Sequence, residues 1–243
     1  MRRDLNEYYK KERKRLKSRY LDELYTFYDF LGLKRPTEPP KRTAKEEIAN
    51  AVSHGIGALL SLVALVFVLT RTKAPTSLLG AAVYFFGLFA MFASSCLYHA
   101  FLYGTTAKRI LRRFDYAGIY LFIGATFFPL FLALFSSGTA VLLIAMQGVI
   151  IATAISLVAL FGVKESPTPH VLFCLFLGWS GGFLLPRILS INVGAALSIL
   201  GGGVLYTVGI IPWFIKKCGS HFIWHIFVLF GSLVQSLGVL QFL

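Results

Sequence analysis

The residues best suited to chemistry are five histidines, His54, His99, His170, His221 and His225, in a chain of 243 residues. His221 and His225 stand in the segment HFIWH, a His-x3-His spacing. On a helix, side chains four residues apart project from one face, so both imidazoles can grip a single metal ion. Position 222 is Phe rather than the Glu of a metalloprotease helix, so a general base must come from another segment. His99 is the candidate third nitrogen. Three imidazoles with an open fourth position are the ligand set of a catalytic zinc site rather than a closed structural one. Ser95 lies four residues before His99 on the same helical face. Its hydroxyl can there hydrogen-bond a ligand, a water or a substrate oxygen. The plainer alternative is that these histidines hydrogen-bond across a helix bundle with no metal.

Only two carboxylates follow residue 50, Asp115 and Glu165. Glu165 falls in a predicted loop and Asp115 in the predicted core, which makes Asp115 the candidate for accepting a proton or orienting water. Cys96 and Cys218 lie nearby, and thiolates are good zinc ligands. Cys218 sits at a helix start and Cys96 points off the Ser95–His99 face, so both read as packing residues. His54 and His170 read as neighbours of the site rather than as ligands. Three cysteines without framework spacing give no disulfide scaffold.

The elements that must hold these groups are membrane spans. The chain is 56% hydrophobic and 14% charged, with a mean hydropathy of +0.70, whereas soluble domains carry about 25% charged residues. Residues 1–50 hold 14 of the 24 Lys+Arg and 9 of the 11 Asp+Glu. A spanning helix needs about 20 apolar residues, and seven segments qualify: Ile48–Leu69, Leu78–Leu102, Phe114–Phe135, Thr139–Gly162, Pro169–Pro186, Ile191–Ile215 and Ser220–Leu243. RTKAPTS, GTTAKRILRR, SSG, VKESPT, a corner at Arg187 and KKCG separate them. Alternating barrel strands do not fit such continuous apolar runs. The expectation is an all-α integral membrane protein of seven transmembrane helices. Residues 1–43 form a basic tail and Pro-rich linker, and residues 44–243 the membrane domain. The GGG at 201–203 marks close helix packing or a kink, and Pro129 and Pro212 are expected kinks.

Lys and Arg accumulate on the cytoplasmic side of membrane proteins. With the N-terminus inside, the inner side carries 21 of them and the outer side 3 (Arg71, Lys73 and Arg187). This predicts a cytoplasmic N-terminus and an external C-terminus, and it sets all five histidines in the cytoplasmic half. His99 is then about one turn from the inner end of its span, and Asp115 in the first turn of the third. The net charge of +13 is thereby read as a topology signal, not as a nucleic-acid footprint. In the tail, Lys10 to Arg19 contains seven cations and one acid, followed by Leu16, Tyr20, Leu24, Phe27 and Leu31 at helical spacing. Such a helix either lies on anionic inner-leaflet lipids or is a solvated element that enforces topology. The N-terminal basic residues have no apolar run behind them, so no cleavable signal peptide is expected.

Four blocks in order carry a family resemblance: EEIANAVSHGIG, SSCLYHA, FDYAGIYLFIGATFFP and HFIWHIFVLFGS. On them the chain resembles the hemolysin III family, bacterial members of which belong with the progestin and adipoQ receptors, over roughly residues 44–243. The resemblance implies a seven-helix fold with an inner N-terminus in the bacterial plasma membrane. It also implies a zinc ion held by His99, His221 and His225, with Asp115 and Ser95 beside its water. Relatives include the adiponectin receptors and, more distantly, alkaline ceramidases, which hydrolyse the amide bond of ceramide. Bacterial relatives often have a histidine where this chain has Gln235, a departure that touches an accessory polar contact and not the zinc. The leading expectation is a zinc-dependent hydrolase of lipid amides or esters at the inner leaflet. The alternative is a receptor-like or regulatory membrane protein with structural zinc. A pore-forming cytolysin is disfavoured by seven apolar spans.

Overall fold

The computed structural model describes Lys11, Glu12, Arg15 and residues 39–162, 168–215 and 217–243. The tail segment from Leu16 to Leu31, Lys164, Glu165 and Lys216 lie outside the described residues. Among the described residues there is no strand, and seven helices are long and apolar enough to cross a membrane.

Three of the spans begin where a side chain satisfies a free amide of the first helical turn. Helix α1 (Ala44–Arg71) starts with a capping box: the Thr43 side chain accepts from the Glu46 backbone N–H, and the Glu46 carboxylate accepts from the Thr43 N–H. Helix α2 (Pro75–Ala100) opens on Pro75, whose missing N–H needs no partner at a helix start. Thr105 caps α3 (Thr106–Leu134) by accepting from the Lys108 N–H. Helix α4 (Ser137–Phe161) closes on Gly162, at a φ of 69° that favours glycine. The fifth span, Thr168–Ile191, is broken into α5 (Thr168–Trp179), a 3-10 turn (Ser180–Leu184) and α6 (Leu185–Ile191). Asn192 caps α7 (Val193–Phe214) through its side-chain oxygen. Gly219, with a φ of 83°, precedes α8 (Ser220–Val239), and a final 3-10 turn follows (Leu240–Phe242).

Two sequence expectations need correction. The third helix begins at Thr106, not Phe114. KRILRR is helix because Lys108 and Arg112 are buried, with Lys108 against Glu47 and the Arg112 guanidinium over the Tyr116 ring. Asp115 therefore sits in the third turn of α3 rather than its first. Arg187 makes no corner either. The chain stays helical through it to Ile191, the guanidinium lies 5.1 Å from the centre of the Phe135 ring, and the break falls at Asn192.

Helices α1, α2, α3 and α4 pack in succession, while α8 packs on both α7 and α1 and closes the bundle. The α7–α8 contact is tight because glycines line it. A Cβ at Gly202 would stand 2.8 Å from the Gly231 carbonyl oxygen, and one at Gly238 would stand 2.6 Å from that of Ala195. The GGG run is thus a packing surface, as small residues at membrane-helix interfaces allow. The interior core gathers Tyr84, Phe85, Phe92 and Val228. The outward faces carry exposed Val63, Phe67, Val149 and Phe176, the surface that a bilayer would cover.

Candidate metal centre

Three histidines converge from two helices at one end of the bundle. His99, at the C-terminal end of α2, and His221 with His225, in the first two turns of α8, each offer one ring nitrogen, and these atoms lie within 4.8 Å of one another. His99 and His225 are each 2% exposed. The Nε2 atoms of His221 and His225 are 3.1 Å apart, as the i, i+4 spacing on one helical face requires. Imidazoles bound tetrahedrally at about 2.0–2.1 Å would have their nitrogens about 3.3–3.4 Å apart. His99 Nε2 is buried and meets no hydrogen-bond partner. A buried, unpartnered acceptor is costly, and an all-imidazole donor set suits zinc. The residues fit a metal ion.

A carboxylate just ahead of the first expected span, not among the expected site residues, reaches this centre. Glu47, in the first turn of α1, places Oε2 2.6 Å from His99 Nδ1 and 2.9 Å from Lys108 Nζ. The Lys108 side chain is fully buried and its ammonium lies 4.5 Å from the centre of the Tyr98 ring. The Asn50 amide nitrogen lies 3.4 Å from the same His99 nitrogen. Its neighbour Glu46 accepts a hydrogen bond from the Gly219 backbone N–H at 2.5 Å, just ahead of the histidine pair. Glu47 and Lys108 went unrecognised because hydropathy places charged residues outside a span, and Asn50 because an uncharged amide in the first turn of a span carries no charge signal. The available signal was the i, i+3, i+7 spacing of Glu47, Asn50 and His54, which aligns them on one helical face.

Asp115 and Ser95 come together with the histidines. The Ser95 hydroxyl donates to the Asp115 carboxylate, and His99, Arg42 and Arg112 act on that carboxylate electrostatically. Ser95, Asp115, His221 and His225 line one end of a cavity of about 230 Å³. Along α3 its wall runs from Asp115 through Phe122 and Thr126 to Leu130. That is a rise of 15 residue steps, about 22 Å at about 1.5 Å per step. Beyond the polar end the wall is largely apolar, with Leu184 and Ile188 at the far end.

The other polar residues divide. His54 is 4% exposed, stacks on His225 with ring centres 3.7 Å apart, and has neither ring nitrogen hydrogen-bonded. It adjoins the three-histidine group without belonging to it. His170 stands apart, with Nδ1 2.9 Å from the Tyr120 hydroxyl and Nε2 3.7 Å from Cys174 Sγ. Cys96 packs beside Gly55, and Cys218 is exposed beside Glu46. Gln235 accepts from the Tyr206 hydroxyl at 3.3 Å on the cavity wall.

Comparison with known proteins agrees with this architecture. The family described as "Haemolysin-III related" matches residues 42–236. The chain is 33% identical over 209 residues to "Hemolysin-3 homolog" of Bacillus subtilis (strain 168), covering 82% of this chain and 94% of the relative. It is 30% identical over 201 residues to "Hemolysin-3" of Bacillus cereus, covering 81% and 91% respectively. A family match across most of the chain, with seven apolar helices beneath it, makes this a multi-pass integral membrane protein that belongs to the haemolysin III family.

Proposed function

We propose that this chain is a zinc-dependent hydrolase of lipid amide or ester bonds, acting at the cytoplasmic leaflet of the bacterial plasma membrane. The observation that carries the reading is the cavity, with His221, His225, Ser95 and Asp115 at its polar end and a long apolar wall beyond them, the two histidines sharing the three-imidazole group with His99. A closed structural zinc site has four protein ligands, whereas three histidines leave a position for a reactant. When bound, zinc supplies Lewis acidity, bringing the pKa of a coordinated water toward about 7 and polarising a carbonyl.

The chain's own groups then divide the work. Asp115 accepts a proton at a carboxylate oxygen and orients the attacking water. The Ser95 hydroxyl, bonded to that carboxylate, fixes its direction. The apolar wall takes up an acyl chain and excludes bulk water, which strengthens every charge interaction at the polar end. The inner-to-outer ratio of 21 to 3 Lys+Arg supports an orientation with the polar end on the cytoplasmic side. The same cations favour contact of the basic tail with anionic headgroups rather than nucleic acid.

The test is metal analysis of the purified protein combined with a lipid-hydrolysis screen, wild type against the His221→Ala/His225→Ala variant. Stoichiometric zinc and turnover are expected in the wild type and neither in the variant. Turnover that persists in the metal-free variant overturns the reading. Zinc without turnover of any lipid favours a receptor-like or regulatory protein with structural zinc.

A further inference from the structure

Glu47 lies outside the histidine and aspartate set, yet it makes the shortest polar contact to any of the three histidines. Its Oε2 sits 2.6 Å from His99 Nδ1, on the ring edge away from Nε2. A carboxylate accepts only, so the imidazole carries its proton on Nδ1 and turns the lone pair of Nε2 outward. Nε2 is the atom left buried without a partner, and one ring nitrogen of His99 joins the group formed with His221 and His225. The same Oε2 takes the Lys108 ammonium at 2.9 Å. The first turns of α1 and α3 are thereby clamped on a histidine near the end of α2.

We propose that Glu47 is a positioning residue of the metal centre: with Lys108 as its counter-ion, it holds the Nδ1–H of His99 and aims Nε2 at the shared metal position. The proposal rests on the three-histidine metal site and not on hydrolysis. A carboxylate behind a metal-bound histidine sets the ring's orientation and raises its basicity, and loss of such a partner lowers metal affinity about 10- to 100-fold. A buried ion pair adds little net stability. The effect of Glu47 is therefore read in metal affinity rather than in folding.

Removing Glu47 alone would strand a buried ammonium, so the variants remove both charges. In the full-length protein in detergent, zinc affinity is measured by competition with a chromophoric chelator, and the site geometry by the visible absorption of bound Co2+. Glu47→Ala/Lys108→Met is expected to bind zinc about 10- to 100-fold more weakly with an altered Co2+ spectrum. Glu47→Gln/Lys108→Met, which keeps an acceptor for the Nδ1–H, is expected to recover part of that loss. Variant affinity within twofold of wild type, with an unchanged Co2+ spectrum, overturns the role of Glu47 and leaves the metal site standing. Histidine 15N NMR of the unmutated zinc protein gives a second test that folding of the variants does not affect. It is expected to show His99 protonated on Nδ1, and metal on Nδ1 instead overturns the proposal. A wild type that binds no zinc removes the metal site and this role together.

Discussion

Glu46 and Gly219 are far apart in sequence, yet the Glu46 carboxylate accepts the Gly219 backbone N–H at 2.5 Å. This bond ties the first turn of α1 to the residue that launches α8. One side chain thus serves as half of the α1 capping box and as the anchor for the segment bearing His221 and His225. Its neighbour Glu47 reaches the third histidine from the same helical turn. Two adjacent carboxylates thus register α1, Glu46 against the start of α8 and Glu47 against α2 and α3.

Glu46→Ala removes one half of the capping box and the Gly219 contact together. The Thr43 cap on the residue-46 N–H survives, and each of the two lost carboxylate hydrogen bonds costs about 1 kcal/mol. The expected result is destabilisation of about 2 kcal/mol in reversible unfolding in detergent, with the zinc-to-protein ratio at saturation unchanged.

Asp115→Asn keeps the size and most hydrogen bonds of the side chain while removing its basicity. On the hydrolase reading, turnover falls about 10²- to 10⁴-fold, the usual contribution of a positioned acid–base group. Zinc stoichiometry should stay at the wild-type value. Parallel assays of lipid turnover and metal content on the same preparation separate the two effects.

Metal removal should loosen the bundle, because an ion that binds only the folded state stabilises it by mass action. With free zinc at about 100 times the dissociation constant, the stabilisation is about 2.7 kcal/mol. Thermal unfolding with and without chelator should show this difference in the wild type. The His221→Ala/His225→Ala variant should show no response to chelator.

Gly238→Ala tests the α7–α8 seam. A Cβ at this position would lie 2.6 Å from the Ala195 carbonyl oxygen and 3.1 Å from the Ile199 nitrogen, both backbone atoms that cannot swing aside. Overpacking of this kind costs about 1–3 kcal/mol. The unfolding free energy should drop by that amount, whereas Gly148→Ala, whose Cβ would meet nothing within 4 Å, should leave it unchanged or raise it slightly.

The amino-acid sequence by itself determined the number of spans, because the transfer of about 20 apolar residues into hydrocarbon is a local property that sums along the chain. It also determined the His221–His225 pair, since helical periodicity puts residues four apart on one face whatever surrounds them. Scarcity of charge after residue 50 singled out Asp115 in the same way. Tertiary structure alone decided what each helix end faces. Glu47 and Lys108 look from the sequence like solvated charges flanking a span, and packing of α1, α2 and α3 buries them against each other beside His99. Arg187 reads as a corner, yet the Phe135 ring beside it and the cap at Asn192 carry the helix past it. A charged side chain at a membrane boundary takes its role from the partner it meets, and that partner comes from a distant segment of the chain.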